Sequence, residues 1–197
     1  RNESRFGAVL RRPIVLVNSL LSITFIAAFA SAEAGVVAIF GDTNSLSGWV
    51  LALWAGGSLV GGLALGHLKI GPWSLSRRMI VIIAGMAAAT LLPHFWWLGV
   101  TLFIAGIGVA PILALLYATV SATISFSETP EAFGWIGTGQ LIGAAFGSAV
   151  AGLAIDTFGS RAGIPTSVVF LLITMGIALF TVRWMPDLRY RSLKAQH

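Results

Sequence analysis

The chain has 197 residues, of which 57% are hydrophobic and only 10% charged, and its mean hydropathy is +0.91. A soluble domain carries about 25% charged residues, so this composition cannot coat a surface that faces water. With no cysteine, disulfide frameworks, Cys-ligated zinc and thiol chemistry are excluded, and the net charge of +5 is not gathered into the basic face that nucleic acid requires.

Six apolar runs follow one another, each near the roughly 20 residues that a membrane span needs. The first helix is predicted from Pro13 to Phe40, with Pro13 at a first-turn position. Arg11-Arg12 before it and Ala30-Ser31-Ala32 within it mimic a secretory signal and its cleavage site. The apolar run continues past Ala32, however, and five more spans come after it. Gly41 to Ser45 is a polar turn, and helix 2 runs from Ser47 to His67. A basic loop containing Gly71-Pro72 leads to helix 3, Arg78 to Leu92, which Pro93 ends. Trp96 and Trp97 are placed at the membrane interface. Helix 4 runs from Trp97 to Ser125 and carries Pro111. Thr129-Pro130-Glu131 reads as an N-cap, a first-turn proline and an acid, opening a helix 5 that ends near Phe158. Helix 6 spans Ile164 to Met185. The expected domains are a basic segment 1–12, a six-helix bundle 13–185 and a basic tail 186–197.

Positive charge divides unevenly across these runs. Eleven of the twelve Lys and Arg residues fall on one side, in Arg1–Arg12, Lys69–Arg78 and Arg183–Lys194, and only Arg161 falls on the other. Such charge is retained on the cytoplasmic face, so the expectation is a multi-pass protein of the plasma (cytoplasmic) membrane with both termini inside. The basic residues there also meet anionic lipid.

An internal repeat is visible as well. Gly57-Ser58-Leu59-Val60-Gly61-Gly62-Leu63-Ala64 and Gly147-Ser148-Ala149-Val150-Ala151-Gly152-Leu153-Ala154 agree at six of eight positions, ninety residues apart. The two blocks lie in helices 2 and 5, which cross the membrane in opposite directions. That is the pattern of an inverted three-plus-three repeat; the competing reading is chance agreement between Gly/Ala-rich spans.

Gly152 to Arg161 forms a G-x-x-x-D-x-x-G-x-R block with Gly152, Asp156, Gly159 and Arg161 at its fixed positions. Gly62 and Gly66, with the basic loop to Arg77-Arg78, stand where a cytoplasmic loop motif is expected. Glu131-Ala132-Phe133-Gly134-Trp135 opens a Gly-rich helix. Over essentially its whole length, the chain thereby resembles the major facilitator superfamily, in particular the C-terminal six-helix half of a drug-efflux-like bacterial member. The resemblance implies an all-α integral membrane fold, a six-helix N-terminal half as partner, and the segment Arg1–Arg12 as the central linker. The start at Arg1 rather than Met fits a piece of a longer polypeptide, or a processed one. One departure stands out: the loop has no Asp where the superfamily motif carries one, with His67 and Lys69 nearby instead.

Glu33 is the sharpest candidate for chemistry, as the only carboxylate well within a span, roughly 10 Å below the helix end at 1.5 Å per residue. A charge there normally faces a bundle interior or a wet cavity. Asn18, Ser22, Phe29 and Glu33 fall within about 60° of one another on a helix, a polar and aromatic stripe. Glu33 reads either as a site for a proton or a cationic substrate, or as a structural hydrogen-bonding group near the headgroups. Gly139, Gly143 and Gly147 form a packing face; Gln140 on the adjacent stripe faces either a cavity or a neighbouring helix. Trp54 and Tyr117 read as cavity aromatics able to hold cationic solutes, or as packed side chains. Pro111, with Gly106 and Gly108, reads either as a bend suited to a gate or as a packing kink in helix 4, and Asp156 and Arg161 are expected to pair locally. His67 and His94 lack ligand spacing, so neither a metal nor a cofactor is expected.

The function expected is secondary transport, proton-coupled export of small amphipathic compounds by rocking about a midplane site. The alternatives are a six-span permease subunit or a non-transporting scaffold. An intramembrane protease needs a Ser paired with a His, and every His here sits at a helix end; no G-x-x-x-x-G-K-[ST] loop is present for an ATPase. The chain is not expected to be an enzyme.

Overall fold

The computed structural model describes residues 8–41, 43–66 and 73–182. Every element among them is helical, because in lipid each backbone N–H and C=O must find its partner inside its own segment. A 3-10 turn, Ala8–Arg11, leads into α1, Pro13–Phe40. Then follow α2, Ser45–Leu65, α3, Ser74–Ala89, α4, Phe95–Ile107, and α5, Val109–Thr123. α6, Thr129–Phe158, a 3-10 turn at Ser160–Ala162 and α7, Gly163–Thr181, complete the bundle. Five stretches are long and apolar enough to cross a membrane, with Phe95–Thr123 counted as one. α3 is shorter, its 16 residues extended by 3-10 hydrogen bonds from the Thr90 and Leu91 amides.

Local signals set most of the ends. Pro13 sits in the first turn of α1 behind an extended Arg12, and the Asn44 side chain accepts from the Leu46 amide at 3.0 Å to cap α2. Gly159, at φ +92°, reverses the chain after α6, a conformation that other residues rarely adopt. Polar side chains inside the spans bond their own helix. Thr101, Thr119, Thr174 and Thr181 each donate to the carbonyl four residues earlier.

Several expectations need correction. α6 starts with Glu128 in the capping position, so Thr129 is already helical and its hydroxyl bonds back to the Ser125 carbonyl at 3.0 Å. The expected helix 4 is divided at Gly108, which keeps helical dihedrals, into α4 and α5. There the Gly108 amide bonds Ala105 O at 3.3 Å, and Pro111 has no N–H for Ile107 O. Helix 3 begins four residues before Arg78, and its regular part ends at Ala89 rather than at Leu92. The segment Arg1–Gly7, the loop His67–Pro72 with Lys69, the expected helix 6 end at Met185 and the basic tail lie outside the described residues.

α1 and the α4–α5 pair form the centre, each with 61% of its apolar window buried, against 22% for α2 and 17% for α6. α1 packs most extensively on α6 and α7, α4 on α2 and α3, and α3 also meets α7. Two of these pairings share one device. In α6, Gly143 and Gly147 lie directly under the carbonyls of Ile23 and Ala27 of α1. In α2, Gly57 and Gly61 lie under the carbonyls of Phe103 and Ile107 of α4. A Cβ at any of the four would overlap a backbone oxygen, so small residues four apart let each helix pair approach to backbone contact. The Ser31 hydroxyl adds a 2.9 Å bond to Gly147 O, which embeds the Ala30-Ser31-Ala32 segment deep in the α1–α6 seam.

Candidate transport site

α1 carries Glu33 well within its span, and the neighbouring α2 brings aromatic surface to it. A cavity of about 270 Å³ opens between α1, α2 and the start of α5, lined by Phe29, Glu33, Leu51, Trp54, Ser58 and Val109. Phe29 and Glu33 share one face of α1, four residues apart, so both project into the same space. The Trp54 ring stands edge-on to Phe29 with centroids 5.1 Å apart and planes at 89°, and Phe25 stacks behind Phe29 at 4.6 Å. Trp54 is 7% exposed, held by its neighbours, whereas Glu33 is exposed and has no hydrogen-bond partner among the described residues. Val109 is half-way along the α4–α5 span, so the cavity reaches towards the middle of the bundle. A lone carboxylate at this depth can take up a proton or accept a cation, and aromatic faces beside it attract the same cation.

Other candidates fall elsewhere. Asn18 and Ser22 are fully buried: the Asn18 amide donates to Ile14 O at 2.8 Å, while Asn18 Oδ1 and Ser22 Oγ have no partner among the described residues. They do not line the cavity, so the expected stripe is not one open path from end to end; the Phe25–Phe29 stack occupies the intervening turns. Tyr117 and Gln140 come together between α5 and α6, with Oη and Oε1 at 3.4 Å, and the Tyr117 ring meets Phe133 edge-on at 4.9 Å. That is a second polar spot, not part of the Glu33 cavity.

The motif residues also separate. Gly62 packs towards the Ala110 methyl and Gly66 ends α2. Arg77 is exposed, and the Arg78 guanidinium donates to Pro111 O at 2.7 Å, so the basic motif is tied to the helix break. Gly152 has open space around it. Asp156 and Arg161 are both exposed and form no ion pair with each other. The reversal at Gly159 and the 3-10 turn lie between them, and an exposed pair would have gained little. Arg12 instead pairs with Glu128, both Glu128 oxygens at 2.8 Å, with Ser125 donating to Glu128 at 2.6 Å. The Ser125 hydrogen bond, aided by Arg12, holds the Glu128 carboxyl below the usual carboxylate range.

Sequence reasoning missed Ser58 and Val109 as cavity walls. Ser58 had a signal in the repeated Gly-Ser pair, but Val109 is brought in only by the α4–α5 break. The Arg78–Pro111 and Arg12–Glu128 contacts link residues 33 and 116 positions apart, which periodicity cannot reveal.

The Major Facilitator Superfamily model matches residues 14–195. The chain belongs to that superfamily. Comparison with curated proteins gave no match. As a member of the Major Facilitator Superfamily the chain is a multi-pass membrane protein and a secondary transporter, a class that moves small molecules through the bilayer rather than transforming them. Its all-helical fold agrees with that membership.

Proposed function

We propose that this superfamily member is the C-terminal half of a proton-coupled exporter of small amphipathic compounds, and that Glu33 is the carboxylate exchanging proton for cationic substrate. The observation that carries this reading is the seating of Glu33 with Phe29 and Trp54 around one cavity. Its volume of about 270 Å³ lies just under the usual ligand range of roughly 300–1,000 Å³. It suits a cationic head, with the rest of an amphipath resting on a facing surface. The N-terminal six-helix half would supply that surface. α2 and α6, the least buried spans, carry exposed Trp49, Leu59, Leu63, Leu141 and Leu153 on which such a half packs. The matched seams α1–α6 and α2–α4 support an inverted relation of helices 1–3 to helices 4–6. The uneven basic charge supports cytoplasmic termini.

Protonation of Glu33 removes the charge that holds the cation, so proton and substrate compete for one group. Glu33→Gln in the full-length transporter is expected to abolish proton-driven transport in vesicles while leaving membrane insertion and thermal stability intact. Transport at the wild-type rate by that variant would sink the assignment.

A further inference from the structure

We propose that a second cavity, at the basic end of the bundle, seats a phosphate-bearing anion whose source is the headgroup of an anionic lipid. This cavity measures about 420 Å³ and lies between the end of α2, the first turns of α3 and the α4–α5 break, with Arg77, Arg78, Leu65, Val81 and Ile107 in its walls. It is separate from the Glu33 cavity and shares no residue with it.

Among the described residues, Arg77 and Arg78 have no acidic partner. Between Asp42 and Glu128 the sequence contains no Asp or Glu, although Arg77 and Arg78 sit together there. Among the described acids, Glu128 is taken by Arg12. Glu33 lines the other cavity and Asp156 lies at the far end of α6. Glu131 is in the first turn of α6, which packs on α1, α7 and α5. Neither arginine forms a salt bridge among the described residues. Arg78 is half-buried and uses one guanidinium nitrogen on Pro111 O, which leaves the rest of its donor fork free for a ligand. A desolvated cation without an anion is costly at a membrane boundary.

Chemistry then narrows the occupant. Two guanidinium groups on successive residues match the several oxygens of a phosphate, which planar Arg forks bind in bidentate fashion. Leu65, Val81 and Ile107 put apolar surface beside the cations, which suits the glycerol and first methylenes of a lipid and does nothing for a free ion. The cavity is also bounded by the helix break, where Gly108 lies so close to the Ile82 side chain that a Cβ would meet it at 2.5 Å. A lipid phosphate there would bridge α3 to the break through Arg78.

Native mass spectrometry of the purified protein tests this, titrating phosphatidylglycerol, phosphatidylcholine or inorganic phosphate. Phosphatidylglycerol is expected to be retained preferentially, and Arg77→Gln to weaken its retention about fivefold, the worth of one basic residue at an anionic surface. Arg78→Gln is expected to weaken retention similarly. Because Arg78 also bonds Pro111, Arg78→Lys serves as the folding-safe control and should retain the lipid better than Arg78→Gln. Equal retention of the two lipids, or unchanged retention in Arg77→Gln, would overturn the proposal. Displacement of phosphatidylglycerol by millimolar inorganic phosphate would overturn the lipid source.

Discussion

The α1–α6 and α2–α4 seams use the same glycine device and differ in what stands behind it. In the first, both helices are continuous for 28 and 30 residues, and the Ser31 hydroxyl reinforces contact at Gly147. In the second, α4 stops at Ile107, the very residue whose carbonyl lies over Gly61. Pro111 leaves that carbonyl without its helical N–H donor, and Arg78 grips the next turn at Pro111 O. Close packing through glycine is therefore compatible with both a locked seam and one built around a break. The broken seam adjoins the Glu33 cavity through Val109, so movement at Gly108 would alter the shape of the site.

The glycines carry the largest expected effect. Gly143→Val and Gly61→Val each force a side chain onto a backbone oxygen. Overpacking of this kind costs about 1–3 kcal/mol, occasionally more, and both variants should unfold at clearly lower temperature in detergent. If the α1–α6 seam is the more rigid, Gly143→Val loses more than Gly61→Val; the reverse order would show that the break confers no tolerance. A second, smaller effect is expected from Pro111→Ala. Restoring an N–H for Ile107 O should raise the thermal midpoint and slow transport turnover, while insertion stays normal. A stabilised variant with full turnover would show that the break is packing alone.

The smallest effect concerns the loop that joins α5 to α6. Glu128 has a depressed carboxyl pKa in the folded chain, held first by Ser125 and then by Arg12. Its contribution is therefore fully present above the ordinary carboxylate value of about 4.5 and is lost as pH falls through the depressed folded value. Glu128→Gln should flatten that acid limb of a stability-versus-pH curve and lower neutral-pH stability by the same small amount, small because the group is at the surface. An unaltered acid limb would show that the pair does not couple the α1 and α6 starts.

How much could be read in advance follows from the physics of each signal. The bounds of α1 were legible because Pro13 and Gly41 punctuate an uninterrupted apolar run. The Gly139–Gly143–Gly147 face was legible because helical period and small size suffice to define it. Glu33 stood out because a charge within a span is rare. The cavity around it was not legible: Trp54 and Val109 come from helices whose rotation depends on the glycine seams. The same holds for Asn18 and Ser22, which share a helical stripe with Glu33 yet end up buried away from it.

Composition, hydropathy and charge distribution already point to a helical membrane protein, since runs of about 20 apolar residues satisfy their backbone hydrogen bonds in lipid as helices. They also marked the residue types able to handle charge there. Only tertiary structure decided which of those residues meet. The decision rests on where carbonyls can settle over glycines and on a helix break that turns Val109 to the Glu33 cavity and Pro111 to Arg78. Both are contacts between distant segments, which no local periodicity encodes.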